Sequence, residues 1–337
     1  MDTLTQALLG GAVGFVVAGK TSPRKAVLWG AAIAILPDLD VFIPYDNDLA
    51  ATTNHRSWSH SWLIQSLLAP LLAWLLYRFD KTVQFKQWWL LVWFALITHS
   101  GLDALTVYGT QLFWPFMPSP YSGGSVFIID LFYTLPLLLG FIAIVLRPNT
   151  LTSQLTIKTG LTLSCIYLAW GLLAQNWVAD NAKRDLAAQH IKTEKILVTA
   201  TPFNTLLWRI LVVDDDVYYE GFRSVFDGSG PITFTQYKRN SPELINALQD
   251  SDTLQRLSWF SNGFYSVSQL DNSIIATDLR MGLEPIYFFR YHIAQSEHHQ
   301  INAIAPMRIR SEQHAKQGIT WTWQRIWDPT AQFEPLQ

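Results

Sequence analysis

Charge is what this sequence has least of. Only 15% of its 337 residues are Asp, Glu, Lys or Arg, where a soluble domain carries about a quarter. The deficit is uneven: roughly the first 180 residues are poor in charge and the remainder has an ordinary soluble texture. That asymmetry excludes one uniform water-soluble globule and predicts a membrane part followed by a water-exposed domain. Basic residues are not in excess either. A net charge of −2 excludes the basic stripe expected of a nucleic-acid-binding surface. Cysteine is nearly absent: Cys165 stands alone within an apolar run, so no intrachain disulfide can form. Met1 is followed by Asp2 rather than by a basic stretch, and no small-residue cleavage site stands out, so no cleavable signal peptide is expected.

What is present in quantity is apolar sequence. Hydrophobic segments fall at roughly 5–19, 26–45, 61–78, 88–106, 125–146 and 158–179, and a spanning helix needs about 20 such residues. Six spans are expected, the first of them short and glycine-rich, able to tilt or span only in part. Gly10 and Gly14 in "LLGGAVGFVVAG" form a small-xxx-small face for close helix packing. Lys20, Arg24 and Lys25 lie in the first connection, Arg78, Lys81 and Lys86 in the third, and Arg147 and Lys158 in the fifth. The second connection has Arg56 alone and the fourth, about 107–124, has none. By the positive-inside rule the N-terminus and everything after residue 180 lie outside. The expected architecture is a transmembrane helical domain over 1–180, an amphipathic linker helix over 181–196, and an extracytoplasmic β-rich domain over 197–337. In that last part "DVYYEGFRSVF", "PIYFFRYHIA" and "GITWTWQRIW" alternate like strands. "SPELINALQ" reads as a short helix capped near Ser241 and Pro242. His298 and His299 sit in a polar loop without ligand spacing.

The informative residues are the ionisable ones in or beside the apolar segments. "LPDLD" supplies Asp38 and Asp40, "NHRSWSHS" supplies His55, Arg56 and His60, "THSGLD" supplies His99 and Asp103, and "FIID" supplies Asp130. In the derived topology all lie at the outer ends of their helices, at a common depth. Such groups are costly in a membrane and face a bundle interior or a wet cavity. His99 and Asp103, four apart, share one helix face. Imidazoles with carboxylates suit Zn²⁺ or Mn²⁺. Taken singly, His-xxx-Asp is as well explained by a helix-surface hydrogen bond, Asp38 and Asp40 by a helix-ending turn, and Arg56 by a rim pair with Asp46 or Asp48.

The stretches "MDTLTQALLG", "LPDLD", "HRSWSHS", "THSGLDALTVYGTQLFWP" and "VFIIDLFYTLPLLLG" resemble the YdjM-type membrane-bound, metal-dependent hydrolases, a family also labelled LexA-binding inner-membrane proteins. "ATPFNTLLWRIL", "LSWFSNGFY" and "ATDLRMG" are similar to the longer members. The resemblance implies an inner-membrane metal hydrolase of a bacterium. Members often carry His where this chain has Gln6, and Thr where it has Ser59, which keeps the hydroxyl. An outward C-terminal domain is at odds with binding a repressor.

The expectation is therefore a hydrolase working by metal-activated water at the outer boundary. Asp38, His55, His60, His99 and Asp103 are the expected ligands of one or two ions, zinc first and manganese second. Asp40 is a ligand, bridge, orienting partner or base, Asp130 a second candidate base, and Arg56 a grip for phosphate. A site at that depth favours a membrane lipid or lipid-linked substrate, a phosphoester before an ester or amide. Trp58, Trp62, Tyr108, Trp114 and Tyr121 would anchor at the interface, and the β-rich domain would select substrate or bind a protein partner. Two other classes stand beside this: a non-catalytic scaffold with a structural metal or polar knot, and a metal-ion or solute transporter. An apolar midplane argues against the transporter.

Overall fold

The structure, a computed structural model, describes residues 1–297, 300–309 and 315–333; His298 and His299 lie outside the described residues. The N-terminal half is helical: α1 (Thr3–Ala18), α2 (Pro23–Ala34), α3 (Asp48–Asn54), α4 (Trp62–Phe79), α5 (Phe85–Ala104), α6 (Leu131–Leu146) and α7 (Leu151–Ala188), with 3-10 turns at Pro37–Phe42 and Trp58–His60. The chain divides into two compact units. One holds residues 1–43 and 55–172, the other 44–54 and 173–337.

In the first unit glycine sets the closest packing. A Cβ on Gly30 of α2 would lie 2.2 Å from the Gly10 carbonyl oxygen, and one on Gly14 would lie 2.4 Å from the Ala26 carbonyl oxygen. The pair predicted to face a helix does so, and the partner is α2. One core joins Ala26 and Ile33 to Ala69, Ala73, Trp88 and Leu91. A second joins Leu8 and Phe15 to Tyr133, Leu137, Ile144 and Ile157. Helix α5 buries Trp88, Leu91, Val92, Ala95 and Leu96, then His99, Ser100, Leu102 and Asp103. The buried stripe keeps its helical period while its chemistry changes from apolar to ionisable in the last turns. Asp130 caps α6, accepting the backbone N–H groups of Phe132 and Tyr133.

Two helices, Trp62–Phe79 and Leu151–Ala188, are long and apolar enough to cross a membrane by length and composition. Helices α1 and α6 are apolar but have 16 residues each, about 24 Å at 1.5 Å per residue against a hydrocarbon core of about 30 Å. The predicted segment 26–45 is not one helix. Pro37 has no N–H to continue the ladder, so α2 stops at Ala34 and the chain tightens into the 3-10 turn.

The second unit is β-rich. Strands β1 (Lys195–Ala200), β2 (Leu207–Val213), β3 (Val217–Ser224) and β4 (Phe234–Lys238) form one antiparallel sheet in that order. The helices α8 (Pro242–Leu248) and α9 (Asp252–Phe260) follow. Strands β5 (Tyr265–Leu270), β6 (Ser273–Asp278), β9 (Arg290–Glu297) and β10 (Gln300–Ile309) form a second sheet, ordered β10-β9-β6-β5, while β7 (Gly282–Leu283) pairs with β8 (Ile286–Tyr287). Strand β2 is buried throughout. Its Trp208, Ile210 and Val212 pack with Ala174, Val178 and Ala182 of α7; its Leu211 and Val213 pack with Tyr218, Phe264 and Leu279. The predicted linker helix, 181–196, is instead the end of α7, a short turn and the start of β1, because Ala174, Val178, Ala182 and Leu186, buried at intervals of four, carry the helix on without a break.

"GITWTWQRIW" is not a strand but most of α10 (Ala315–Trp327). Alternating Trp and Thr suggested period two. The buried positions are Gly318, Trp321, Thr322, Arg325 and Ile326, a spacing of three and four. The pattern was hidden because a buried arginine completes it: Arg325 pairs with Asp227 at 2.8 Å. Helix α8 matches the expected one after Ser241.

The α1–α2 contact yields a direct test. Gly30→Val should lower the stability of the helical half by about 1–3 kcal/mol or prevent its folding, read as detergent thermal denaturation. Gly101→Ala, whose new methyl would find its nearest neighbour 3.8 Å away, should leave the melting curve near that of wild type.

Candidate metal centre

Three chain segments deliver the polar residues to one place within the first unit. Asp38 and Asp40 come from the 3-10 turn after α2, His60 from the 3-10 turn before α4, and His99 and Asp103 from the last turns of α5. Each of Asp38, His60, His99 and Asp103 offers one ligand atom, and the four atoms lie within 4.8 Å of one another. His60 Nε2 is 3.4 Å from Asp38 Oδ1, 3.2 Å from Asp103 Oδ2 and 3.0 Å from His99 Nε2. His99 Nε2 is 3.5 Å from both Asp38 Oδ1 and Asp103 Oδ2. Four ligands at about 2.1 Å around a tetrahedral ion would be about 3.4 Å apart.

The fit goes beyond spacing. His60, His99 and Asp103 have fully buried side chains, and that of Asp38 is 15% exposed. Asp38 Oδ1 and Asp103 Oδ2 are buried without a hydrogen-bond partner; Asp103 Oδ2 has the Arg56 charge 3.2 Å away, and a buried anionic oxygen without a partner is costly. Both point at the same two imidazole nitrogens. A divalent cation is the group this set of two nitrogens and two hard oxygens suits.

Around the four atoms lies a shell that orients them. Asp103 Oδ1 accepts from the Gln6 amide at 2.9 Å and from the Met1 amino group, which leaves Oδ2 for the cluster. Arg56 Nε lies 3.2 Å from Asp103 Oδ2, its NH1 donates to Thr106, and its guanidinium stacks 4.8 Å from the Tyr108 ring centroid. Arg56 is buried and holds φ at +63°, a left-handed conformation unfavourable for a residue with a Cβ. It is held there from both sides, by its N–H to Asp40 Oδ2 at 3.0 Å and by Gln111 N–H to its carbonyl at 2.9 Å. Asp40 also accepts from Ser59 Oγ at 2.6 Å and contacts His55 Nδ1 at 2.5 Å. The stretch 105–130, without a helix or long strand, closes over the helix ends: Trp62 N–H donates to Leu112 O, and Gly123 N–H to Ala104 O.

The expected residues therefore divide. Asp38, His60, His99 and Asp103 meet. His55 stands beside them with its Nδ1 on Asp40, its ring centroid 5.8 Å from that of His60. Arg56 turns inward to Asp103 rather than to Asp46 or Asp48. Asp130 is occupied in capping α6 and in accepting the Tyr167 hydroxyl at 2.8 Å. Sequence reasoning passed over Gln65, which donates to Ser100 at 2.6 Å and to the Ser59 carbonyl, and found no role for Gln6. The signal was there: an amide in an apolar helix is expensive unless it is bonded.

Comparison with known proteins assigns a family to the same stretch of chain. The family described as "YdjM inner membrane protein" matches residues 1–178, the part that holds every residue above. An uncharacterized Bacillus subtilis protein, YfhP, is 26% identical over 273 residues, 77% of this chain and 80% of that protein. The Escherichia coli inner membrane protein YbcI is 28% identical over 116 residues, 33% of this chain and 64% of that protein. No solved structure matches.

The geometry predicts a ranking of metal affinities. Detergent-purified wild type should take up Zn²⁺ or Mn²⁺ near stoichiometrically by elemental analysis. His60→Ala, His99→Ala and Asp38→Asn should each bind at least about 100-fold more weakly, while His55→Ala, outside the four, should lose about tenfold or less, in the range of an orienting partner.

Proposed function

The chain belongs to the YdjM inner membrane protein family, and from that premise we propose a membrane-bound, metal-dependent hydrolase whose site lies at the outer membrane–water boundary. The observation that carries the reading is the convergence of two desolvated carboxylate oxygens and two imidazole nitrogens, five of whose separations lie between 3.0 and 3.5 Å. A divalent ion held there supplies a Lewis acid and lowers the pKa of water from about 15.7 towards about 7. Zinc is the first choice and manganese the second.

The protein's own groups take the remaining roles. Arg56 balances Asp103 and brings fixed positive charge to the scissile group, as suits a phosphoester. His55, oriented by Asp40 at Nδ1 and 20% exposed, accepts the proton from attacking water, a role closer to its geometry than that of a fifth ligand. Asp40 orients its neighbours, since both its oxygens are engaged. Loops at the helix ends carry bare apolar side chains, Phe42 at 80% and Phe116 at 81% exposure. They support contact with lipid and hence a lipidic phosphoester as substrate, with a carboxylic ester second.

The topology belongs to the same proposal. The α1–α2, α4–α5 and α6–α7 connections hold Lys20, Lys81 and Arg147, and the helix turns beside them hold Arg24, Lys25, Arg78 and Lys86. On the site's side Arg56 is buried against Asp103 and presents no charge to a headgroup. The positive-inside rule then puts the site and residues after α7 outside, with α1, α2 and α6 as short spans that thin the bilayer locally. A cysteine placed at Asp215, 83% exposed, in a Cys165→Ser background should react with membrane-impermeant maleimide in intact spheroplasts. Protection there, with labelling only after lysis, reverses the orientation.

One observation favours a second reading. Closed four-ligand sites are typical of structural zinc, and catalytic sites keep an open position; a non-catalytic scaffold fits that. Turnover decides. The zinc-loaded protein in mixed micelles should hydrolyse a chromogenic lipid phosphoester, and Arg56→Ala should cut kcat by about 10²-fold or more. Stoichiometric metal with no hydrolysis of phosphoesters or carboxylic esters makes the site structural.

A further inference from the structure

Resting on the metal reading above, we infer that Ser59 is the positioning residue that fixes the tautomer of His60, passing the charge of Asp40 to the imidazole. The available hydrogens decide the tautomer. Ser59 Oγ has one hydrogen. It lies 2.6 Å from Asp40 Oδ2 and 2.9 Å from His60 Nδ1. Asp40 gathers the Arg56 N–H and the His55 Nδ1 as well, the arrangement of an ionised carboxylate that only accepts. The Ser59 hydrogen therefore goes to Asp40. Ser59 Oγ is left to accept, and the His60 Nδ1 must carry the donated hydrogen. A neutral imidazole with hydrogen on Nδ1 has its lone pair on Nε2, the atom 3.2–3.4 Å from Asp103 and Asp38.

The relay explains why Asp40 stays near the cluster without joining it: His60 Nδ1 is 3.7 Å from Asp40 Oδ2, too far for a direct bond, and the serine fills the gap. It also explains the local chain path. Ser59 sits in the 3-10 turn Trp58–His60, one residue before the histidine it orients, and Gln65 grips its carbonyl at 3.0 Å. His99 is different: its Nδ1 is buried without a partner, so the relay predicts that the two imidazoles are not equivalent.

The test uses the full chain in detergent, with ring-¹⁵N histidine and assignment by His60→Asn. In metal-free wild type His60 should show protonated Nδ1 and unprotonated Nε2. In Ser59→Ala that preference should be lost, with the His55 signals unmoved, and Zn²⁺ affinity by chelator competition should fall about 10- to 100-fold. Ser59→Thr should restore both to within about threefold. Wild type with hydrogen on Nε2 of His60, or Ser59→Ala binding zinc as tightly as wild type, overturns the relay and leaves the metal site standing. Failure of wild type to bind Zn²⁺ or Mn²⁺ removes the metal reading, and the tautomer in the same metal-free sample still decides the relay.

Discussion

Two carboxylate oxygens held against two imidazole nitrogens, out of water, are the constraint from which the rest of the helical unit follows. Desolvating one ion costs several kcal/mol after relaxation, so nothing gathers Asp38 and Asp103 by default. Each must be delivered by an element whose other contacts hold it in place. Helix α5 does so by keeping one buried stripe from Trp88 to Asp103. Its apolar turns anchor the ionisable ones. The glycine contact of α1 with α2 brings Gln6 close enough to fix Asp103 from behind. What surrounds the cluster is then a set of partial compensations: one arginine, one amide, one serine. The amide and the serine engage the outer atoms of Asp103 and His60, while the arginine lies beside Asp103 Oδ2, the oxygen that faces the imidazoles.

The same constraint accounts for the irregular backbone. Helices present side chains sideways, and four groups converging on a point at the end of a bundle cannot all come from helix faces. Asp38, Asp40 and His60 ride on 3-10 turns, and Arg56 on a left-handed residue. A left-handed conformation is costly at a residue with a Cβ, and short 3-10 turns need contacts outside themselves to hold them. They persist because Asp40 ties three of them together through His55, the Arg56 N–H and Ser59, and because the 105–130 stretch lays backbone hydrogen bonds across Arg56 and α4. Site and fold are in this sense one hydrogen-bond network.

Much of this was legible in the sequence. Ionisable residues in apolar surroundings need partners, so Asp38, His60, His99 and Asp103 announced themselves once a common depth was assigned, and His55, Asp40 and Asp130 with them. Gly10 and Gly14 announced a close helix contact by their spacing. What could not be read was which polar groups point inward. Asp130 looks like the others in a list, yet a carboxylate just before a helix is also its natural cap, and capping prevailed. His55 and His60 differ only in register along one short segment. The element type was misread where a buried ion pair imitated a polar face, as Arg325 does in α10. The apolar segment 26–45 was longer than the helix inside it, because hydropathy does not register that a proline such as Pro37 stops a helix, while α7 runs well beyond 158–179 at both ends.

Whether such a centre does chemistry turns on how its four ligands are mounted. Three are fully buried: His99 and Asp103 on one helix, and His60 pinned through Ser59 to Asp40. The fourth, Asp38, is the exposed one, and it comes from a six-residue 3-10 turn whose neighbours Leu39, Val41 and Phe42 face outward. A structural site gains by making all four ligands equally rigid. Here exposure is unequal: three side chains are fully buried and Asp38 is 15% exposed. Catalytic zinc sites keep one position open, and in the proposed hydrolase that opening would lie beside Asp38. A count of four close groups therefore does not by itself decide against catalysis.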